Sequence, residues 1–227
     1  IAQGMGGLMW ITGMPGGGPV RAGIAVADVG SGLHCAIGIL IALLERESSG
    51  EGQWVSSSLL QAMISMCDFQ AARWTLAKDV PGQAGNNHPT SIPTGVFKTK
   101  DGYINIAASG QHIYKRFCEC VQSPELVTDE RFATDKSRAQ NRDALNVEIE
   151  KRVAAYGSAE LVEKLNKAGV PAGPIYKMDE MFADPQVQHL KMAYPVKHPK
   201  LGEQKVIGQA INMSRTRVEN WTATPEQ

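Results

Sequence analysis

Asp28 is the residue of this sequence whose type and position best suit chemistry. It follows residues 23–27, which have the apolar character of a short buried strand, and precedes apolar residues at helical spacing over 33–44. A carboxylate at a strand-to-helix junction meets free backbone N–H groups and the positive end of the helix dipole, which keep it ionised. The pattern therefore predicts a strand, a glycine-bounded turn that carries Asp28, and a helix that stops at residues 48–50.

Two interpretations of Asp28 follow from this local pattern. In the first it is only a helix N-cap, because Asp is among the residues favoured at that position. In the second it is a reactive carboxylate, and Gly30 and Gly32 let a substrate approach the backbone closely.

Arg21 is a second candidate, placed after the glycine-rich residues 13–18. Its forked donors suit a carboxylate or a phosphate group. No Gly-Lys-Ser follows the glycines, which argues against a nucleotide phosphate loop. The alternative is a flexible surface turn followed by a solvated arginine.

The segment 82–90 contains the remaining candidates, Gly85, Asn86, Asn87 and His88. It belongs to a break at residues 78–93 whose prolines and glycines predict a loop. Histidine titrates near neutral pH, so His88 is a candidate general base, with a solvated loop histidine as the alternative.

Composition excludes several classes of protein. The formal net charge is zero and the pI is near 7.1, which gives no indication of a nucleic-acid or acidic-lipid partner. The uninterrupted apolar run at 35–44 is too short to span a bilayer, and the first residues lack a signal peptide. The four cysteines fit neither a disulfide framework nor a zinc site, so we expect reduced thiols, no metal and a cytoplasmic location.

Periodicity predicts both helices and strands along the chain. After the helix at 33–47 we expect a strand at 53–57, then a helix capped by Ser57 or Ser58 that runs to about residue 76. The sequence around Lys100-Asp101-Gly102 predicts a β-hairpin over 94–107. Further predicted elements are helices at 110–122, 137–155, 158–167, from 179 and from 184, and strands at 194–198 and 205–207.

Several segments in order resemble the class III CoA-transferase family, which includes formyl-CoA transferase, carnitine CoA-transferase and 2-methylacyl-CoA racemases. The first segments are TGMPGGGPVRAG (12–23), Ala27-Asp28 with Gly32, and SGEGQWVSSSLLQA (49–62). The later ones are TGVFKTKDGYINIA (94–107), GVPAGPI (169–175) and DPQVQHL (184–190). Each motif alone is weak, but the ordered set is fairly specific.

The resemblance implies an α/β fold: part of a Rossmann-like large domain plus a smaller α+β domain. It divides the chain into residues 1–80 of the large domain, a small domain at 81–185, and a return to the large domain at 186–227. It also implies that an amino-terminal segment of about 100–150 residues, roughly one domain, is absent and that this chain is a fragment. Members of the family form interlocked homodimers.

The resemblance implies that Asp28 is the nucleophile of a CoA-transferase, buried away from water, with an oxyanion hole from the backbone N–H groups of residues 29–32. CoA would move from an acyl-CoA to a small carboxylic acid through an aspartyl anhydride and an aspartyl-CoA thioester, with no permanently bound cofactor. Residues 85–88 take the place of a glycine-rich loop that folds over the active site, and Arg21, Gly30 and Gly32 would contact substrate or CoA. The alternatives are a 2-methylacyl-CoA racemase, in which Asp28 is a proton-transfer base, and a non-catalytic remnant or interaction domain.

Overall fold

The structure, a computed structural model, describes residues 1–216, 218 and 221–223. The chain divides into two compact units, Ile1–Gly173 and Pro174–Gln227. The three-part domain division expected from the family resemblance stays a prediction.

The first unit begins with helices that surround the start of one long helix. Helix α3 has 24 residues and ends at Gly50, whose φ of 75° lets its N–H reach the carbonyl of Arg46. The stop predicted at residues 48–50 is therefore confirmed. The five helices are α1 (Ala2–Met5), α2 (Leu8–Ile11), α3 (Val26–Ser49), α4 (Leu59–Ser65) and α5 (Asp68–Ala77).

The strand predicted at residues 23–27 is wrong, because α3 already begins at Val26. Short runs of alanine and branched apolar residues do not separate strand from helix by periodicity. The described residues provide no strand to pair with this segment, whereas Ala27 is a strong helix former. The glycine-bounded turn is also wrong, since Gly30 and Gly32 lie inside α3.

The segment between α3 and α4 forms no strand, so the strand predicted at 53–57 is wrong as well. The predicted cap is confirmed at Ser58, whose side chain accepts from the N–H of Gln61 in a capping box. The predicted single helix is two, because the backbone changes direction at Asp68, where φ is 49°.

The rest of the first unit packs helices on a three-stranded sheet in the order β1-β2-β3. The predicted hairpin is confirmed: β1 and β2 are antiparallel, with Thr94 opposite Ala107. Alternate residues such as Phe97 and Ile104 enter a core that also contains Leu145. The elements are β1 (Thr94–Lys98), β2 (Tyr103–Ala107), α6 (Gln111–Cys120), α7 (Glu125–Thr128), α8 (Asp135–Gln140), α9 (Arg142–Val153), α10 (Ser158–Lys167) and β3 (Ala172–Pro174).

Arg138 is a fully buried cation that connects this core to the segment 78–93. Its guanidinium donates to the carbonyl oxygens of Ile92 at 3.3 Å and Phe132 at 2.9 Å, and it pairs with Asp135. The guanidinium carbon also lies 4.3 Å from the centroid of the Tyr114 ring. A buried charge is tolerated because its donors are paired, and these bonds fix the carboxyl end of the loop.

Burial raises the pKa of the Cys118 thiol in this core to about 11, and it raises the pKa of the neighbouring Tyr114 hydroxyl above its ordinary range. The unfolded chain therefore releases these protons at lower pH than the folded protein does. Their contribution to the free energy of unfolding is therefore complete below pH 9 and is lost as the pH rises to 11, which lowers that free energy by about 2–3 kcal/mol for the thiol.

Urea unfolding at pH 8–11 should show this fall in the free energy of unfolding, and the fall should be smaller in Cys118→Ala. Cys35→Ala, outside the core, is the control; an unchanged slope in Cys118→Ala would contradict the assignment.

The second unit contains two short helices and a hairpin, as the sequence predicts. Asp184 caps α12 by accepting from the N–H groups of Gln186 and Val187. Strands β4 and β5 are antiparallel, with Ala193 opposite Ile207. The elements are α11 (Met178–Ala183), α12 (Pro185–His189), β4 (Ala193–His198) and β5 (Gly202–Ile207).

Helix α3 is long and apolar enough to cross a membrane by length and composition, although the uninterrupted apolar run at 35–44 is not. Only 11% of its most apolar window is buried within the described chain. A single helix of this kind is weak evidence for a membrane span, because core helices of soluble proteins have the same composition.

Candidate functional site

Asp28 lies in the first turn of α3 and its side chain is exposed. The N-cap is Ala25, so the capping interpretation of Asp28 is wrong. The preceding Ala27 is buried with Met63 and Cys67, which anchors this turn while Asp28 faces solvent. The helix dipole favours a carboxylate here. The described residues do not supply the dry environment expected for a nucleophile.

The backbone N–H groups available near Asp28 differ from those expected. The N–H of Val29 donates to the carbonyl of Ala25 at 3.1 Å, and the helical hydrogen-bond pattern continues beyond it, so residues 29–32 do not form an oxyanion hole. The N–H groups of Ala27 and Asp28 belong to the first turn, and neither has a backbone partner in the described chain. These two are the donors left at this end of the helix.

Gln3 fixes the segment that enters α3. Its side chain is buried, its Nε2 donates to the carbonyl of Ile24 at 2.9 Å, and its Oε1 accepts from the N–H of Ala22 at 3.0 Å. Sequence reasoning missed Gln3, because nothing local distinguishes it. The neighbouring Arg21 is exposed and forms no ion pair with any described residue, so the chain leaves its guanidinium available.

Gly30 and Gly32 have different surroundings inside α3. A Cβ at Gly30 would lie 3.3 Å from Cγ of Met66, so this glycine allows α3 to pack closely on the α4–α5 connection. A Cβ at Gly32 would meet nothing within 4 Å. The structure therefore assigns Gly30 a packing role and places no described atom against Gly32.

The glycine-rich residues 13–18 contact the segment 82–90, which joins two regions that the sequence marks separately. The Nε2 of Gln83 donates to the carbonyls of Thr12 at 2.8 Å and Gly18 at 2.9 Å. The N–H of Gly85 donates to the carbonyl of Gly13 at 2.9 Å, and its φ of +61° favours glycine. Gln83 is a second residue that sequence reasoning missed.

Residues 86–88 lie alongside β1 as a short extension of the sheet. Asn87 forms a bridge with Gly95, and the N–H of His88 donates to the carbonyl of Thr94 at 2.8 Å. The Nδ2 of Asn146, on α9, donates to Oδ1 of Asn87 at 2.8 Å. The segment predicted as a loop is thus held by the sheet on one side and by a core helix on the other.

His88 is a half-buried, anchored residue, so the interpretation as a freely solvated loop histidine is wrong. Its Nδ1 accepts from the backbone N–H groups of Ser91 at 2.9 Å and Thr90 at 3.2 Å. An acceptor nitrogen carries no proton, so neutral His88 has its proton on Nε2. The ring stacks on Phe69 with centroids 5.6 Å apart, which fixes its plane.

Within the described part of the chain, no group of three or more His, Cys, Asp or Glu side chains is arranged to hold a metal ion. The candidate groups described above are a carboxylate, a histidine, an arginine and backbone donors.

Comparisons with known proteins give one family. The whole chain, residues 1–227, matches the profile described as CoA-transferase family III. It is 30% identical over 225 residues to human succinyl-CoA:glutarate CoA-transferase, covering 99% of this chain and 51% of that protein. It is 35% identical over 217 residues to succinyl-CoA:mesaconate CoA-transferase of Haloarcula hispanica, covering 95% and 54%.

A solved structure shows the same fold. The crystal structure of a CAIB/BAIF family protein from Brucella suis matches with a TM-score of 0.79 and 34% identity, covering 94% of this chain and 55% of that one. This likeness confirms the predicted fold class, the α/β fold of class III CoA-transferases. The chain spans about half the length of the curated relatives it matches. By profile, sequence and structure, the chain belongs to CoA-transferase family III.

Proposed function

We propose that this protein transfers CoA from an acyl-CoA donor to a carboxylic acid, with Asp28 as the nucleophile. The observation that carries the proposal is the position of Asp28: an exposed carboxylate in the first turn of α3, beside N–H groups that have no backbone partner among the described residues. Relatives named as CoA-transferases for glutarate and mesaconate support a small organic acid as acceptor.

The proposed reaction starts when an oxygen of the Asp28 carboxylate attacks the thioester carbonyl, which forms a mixed anhydride and expels CoA thiolate. The thiolate attacks the aspartyl carbonyl of the anhydride, which releases the donor acid and leaves an aspartyl-CoA thioester. The acceptor carboxylate then attacks this thioester and expels the thiolate again. Attack of the thiolate on the acceptor acyl carbon gives the new acyl-CoA and regenerates Asp28.

We propose that a few groups of the chain assist these steps. The N–H groups of Ala27 and Asp28, which have no backbone partner in the described chain, are proposed to stabilise oxyanion charge at the aspartyl carbonyl, where a single well-placed donor contributes about 3 kcal/mol. The segment 82–90 is the proposed cover that limits access of water to the anhydride. Its bonds to the residues 12–18 hold it in one position in the described chain. The guanidinium of Arg21 is proposed to pair with an anionic part of a substrate.

A homodimer is part of the proposal. Large apolar side chains of α3, among them Leu33, Leu40 and Leu44, are 57–73% exposed in this chain. Exposed apolar surface of this extent indicates an interface with further protein. We propose that this further protein is the remainder of an interlocked homodimer, as the family resemblance implies.

Trapping of the covalent intermediate tests the proposal. With acyl-CoA present, hydroxylamine should convert Asp28 of the full-length protein to a hydroxamate, because both the anhydride and the thioester are acylating species. Peptide mass spectrometry should locate the label at residue 28. Asp179→Asn, which changes an exposed first-turn aspartate of α11, is the matched control and should label normally. Proton exchange at C2 of a 2-methylacyl-CoA without label would indicate racemisation instead, and absence of acyl-CoA binding would indicate a non-catalytic protein.

A further inference from the structure

Two histidines of this chain begin turns that are built in the same way. His88 precedes Pro89 and His198 precedes Pro199, and we call residues 88–91 and 198–201 the His-Pro turns. In each turn Nδ1 of the histidine accepts from the backbone N–H groups two and three positions further along the chain. The distances are 3.2 and 2.9 Å after His88, and both are 3.1 Å after His198. Asn and Asp side chains close turns by similar bonds to the backbone, and proline suits the second position of such turns.

The bonds of both His-Pro turns require a neutral histidine. A nitrogen that accepts a hydrogen bond carries no proton, whereas the imidazolium ion has an N–H on both nitrogens and accepts none. A proton taken up at Nδ1 therefore leaves two backbone N–H groups of that turn without their acceptor. Histidine in an unfolded chain gains its proton below about pH 6.5. The stabilisation from these turns is therefore complete above that pH and is lost as the pH falls.

His34 has the opposite arrangement. Its Nδ1 lies 2.7 Å from the carbonyl oxygen of Gly30, which can only accept, so this nitrogen carries a proton in neutral His34. Its Nε2 lies 3.3 Å from the hydroxyl of Ser65, which can accept as well as donate. Because protonated His34 can donate from both nitrogens, acid breaks neither contact. Sensitivity to acid is thus expected of the His-Pro turns and not of every histidine.

The surroundings of His88 supply no negative charge that would favour a protonated ring. The ring stacks on Phe69 of α5, and the backbone N–H of His88 donates to Thr94 of β1. The other residues that line the cleft beside the ring are all uncharged. The charged residues of α5 and β1 are Asp68, Arg73 and Lys98. None of the three forms an ion pair with His88 within the described ranges, and Arg73 pairs with Asp79.

His198 is buried in the second unit, on the same face of β4 as Val196. Side chains of a strand point to its two sides in turn, so the charged residues of β4 and β5 lie on the other face. These residues are Lys197, Glu203 and Lys205. Helices α11 and α12 line a cavity with this other face. Lys200, in the turn itself, is positively charged and so offers no negative partner to a protonated ring.

We propose that the two His-Pro turns make the fold sensitive to acid: both are closed while His88 and His198 are neutral, and both open when these histidines are protonated. Each turn acts within its own unit. The first turn follows residues 86–88, which lie along β1, so its opening loosens the segment 82–90 from the sheet. A consequence for CoA transfer rests on the proposed function, whereas the opening of the turns does not.

The test is the melting temperature of the full-length protein at pH 7.5 and pH 5.5. Asn is the matched replacement, because its Oδ1 takes the position of Nδ1, accepts the same bonds and does not titrate. The fall in melting temperature between the two pH values should be about 6 °C smaller in the double variant His88→Asn, His198→Asn than in the wild type, about 3 °C for each turn. His112→Asn, which replaces an exposed histidine of α6, is the control and should show the wild-type fall.

Hydrogen exchange of the wild-type protein tests the proposal without any substitution. After correction for the intrinsic effect of pH on exchange, peptides that contain the His-Pro turns should lose protection about tenfold at pH 5.5, whereas a peptide around His34 should keep it. Equal protection of both turns at the two pH values, or an equal fall in melting temperature in the wild type and the double variant, would overturn the proposal. Neither measurement involves CoA or an acid substrate, so a failure of the proposed transfer reaction would leave their outcome unchanged.

Discussion

Replacing Asp28 by Ala should reduce CoA transfer by at least about 10³-fold, because the anhydride and the aspartyl thioester cannot form without the carboxylate. The free energy of unfolding should change by no more than about 1 kcal/mol, since an exposed first-turn carboxylate contributes only its interaction with the helix dipole. Transfer is measured by following formation of the new acyl-CoA chromatographically, and stability by urea unfolding.

The matched control for this variant is Asp179→Asn, another exposed aspartate in the first turn of a helix. It should retain full activity with a similarly small change in stability. An Asp28→Ala protein that exchanges CoA at the normal rate would refute the nucleophile assignment, and the reaction would then have to proceed by direct attack of the acceptor on the donor thioester.

Replacing Gly95 by Ala should displace residues 86–88 from β1. The added Cβ would lie 2.6 Å from the carbonyl oxygen of Asn86 and 3.0 Å from Oδ1 of Asn87. The nearer atom belongs to the backbone, so it cannot rotate away, and overpacking of this kind costs about 1–3 kcal/mol. We expect a lower melting temperature and about tenfold less transfer, because a misplaced active-site segment lowers the rate by roughly such factors.

Gly82→Ala is the control for that result. Gly82 belongs to the segment 82–90, as residues 86–88 do, but a Cβ at this position would meet nothing within 4 Å. The variant should change neither stability nor transfer. If Gly95→Ala loses stability but transfers CoA at the normal rate, residues 86–88 have no part in the active site.

Local signals in the sequence predicted much of the fold, and the errors have physical causes. Ser58 and Gly50 are correctly identified as helix ends, because caps depend on nearest neighbours. The apolar residues 23–27 predict a strand because a run of that length fits the strand period and the helix period alike. In the folded chain, packing of Ala27 on Met63 and Cys67 favours the helix.

At the candidate site, too, local patterns identify some residues and miss others. Asp28 and residues 85–88 are recognisable from motifs, whereas the residues that bind and position these segments are not. Gln3 bonds to residues 19 and 21 positions away, and Asn146 bonds to Asn87 across 59 positions. No periodicity or turn signal encodes a contact at such separations, so these positioning residues emerge only from the folded chain.

The side chain of Gln83 has a mechanical consequence for the glycine-rich loop. Both of its bonds, to Thr12 and to Gly18, start from one amide nitrogen. One side chain therefore joins the two ends of residues 12–18, and rotation of its amide would break both bonds at once. The backbone bond from Gly85 to Gly13 remains after such a rotation, so full separation of the loop from the segment 82–90 requires a second event in the backbone.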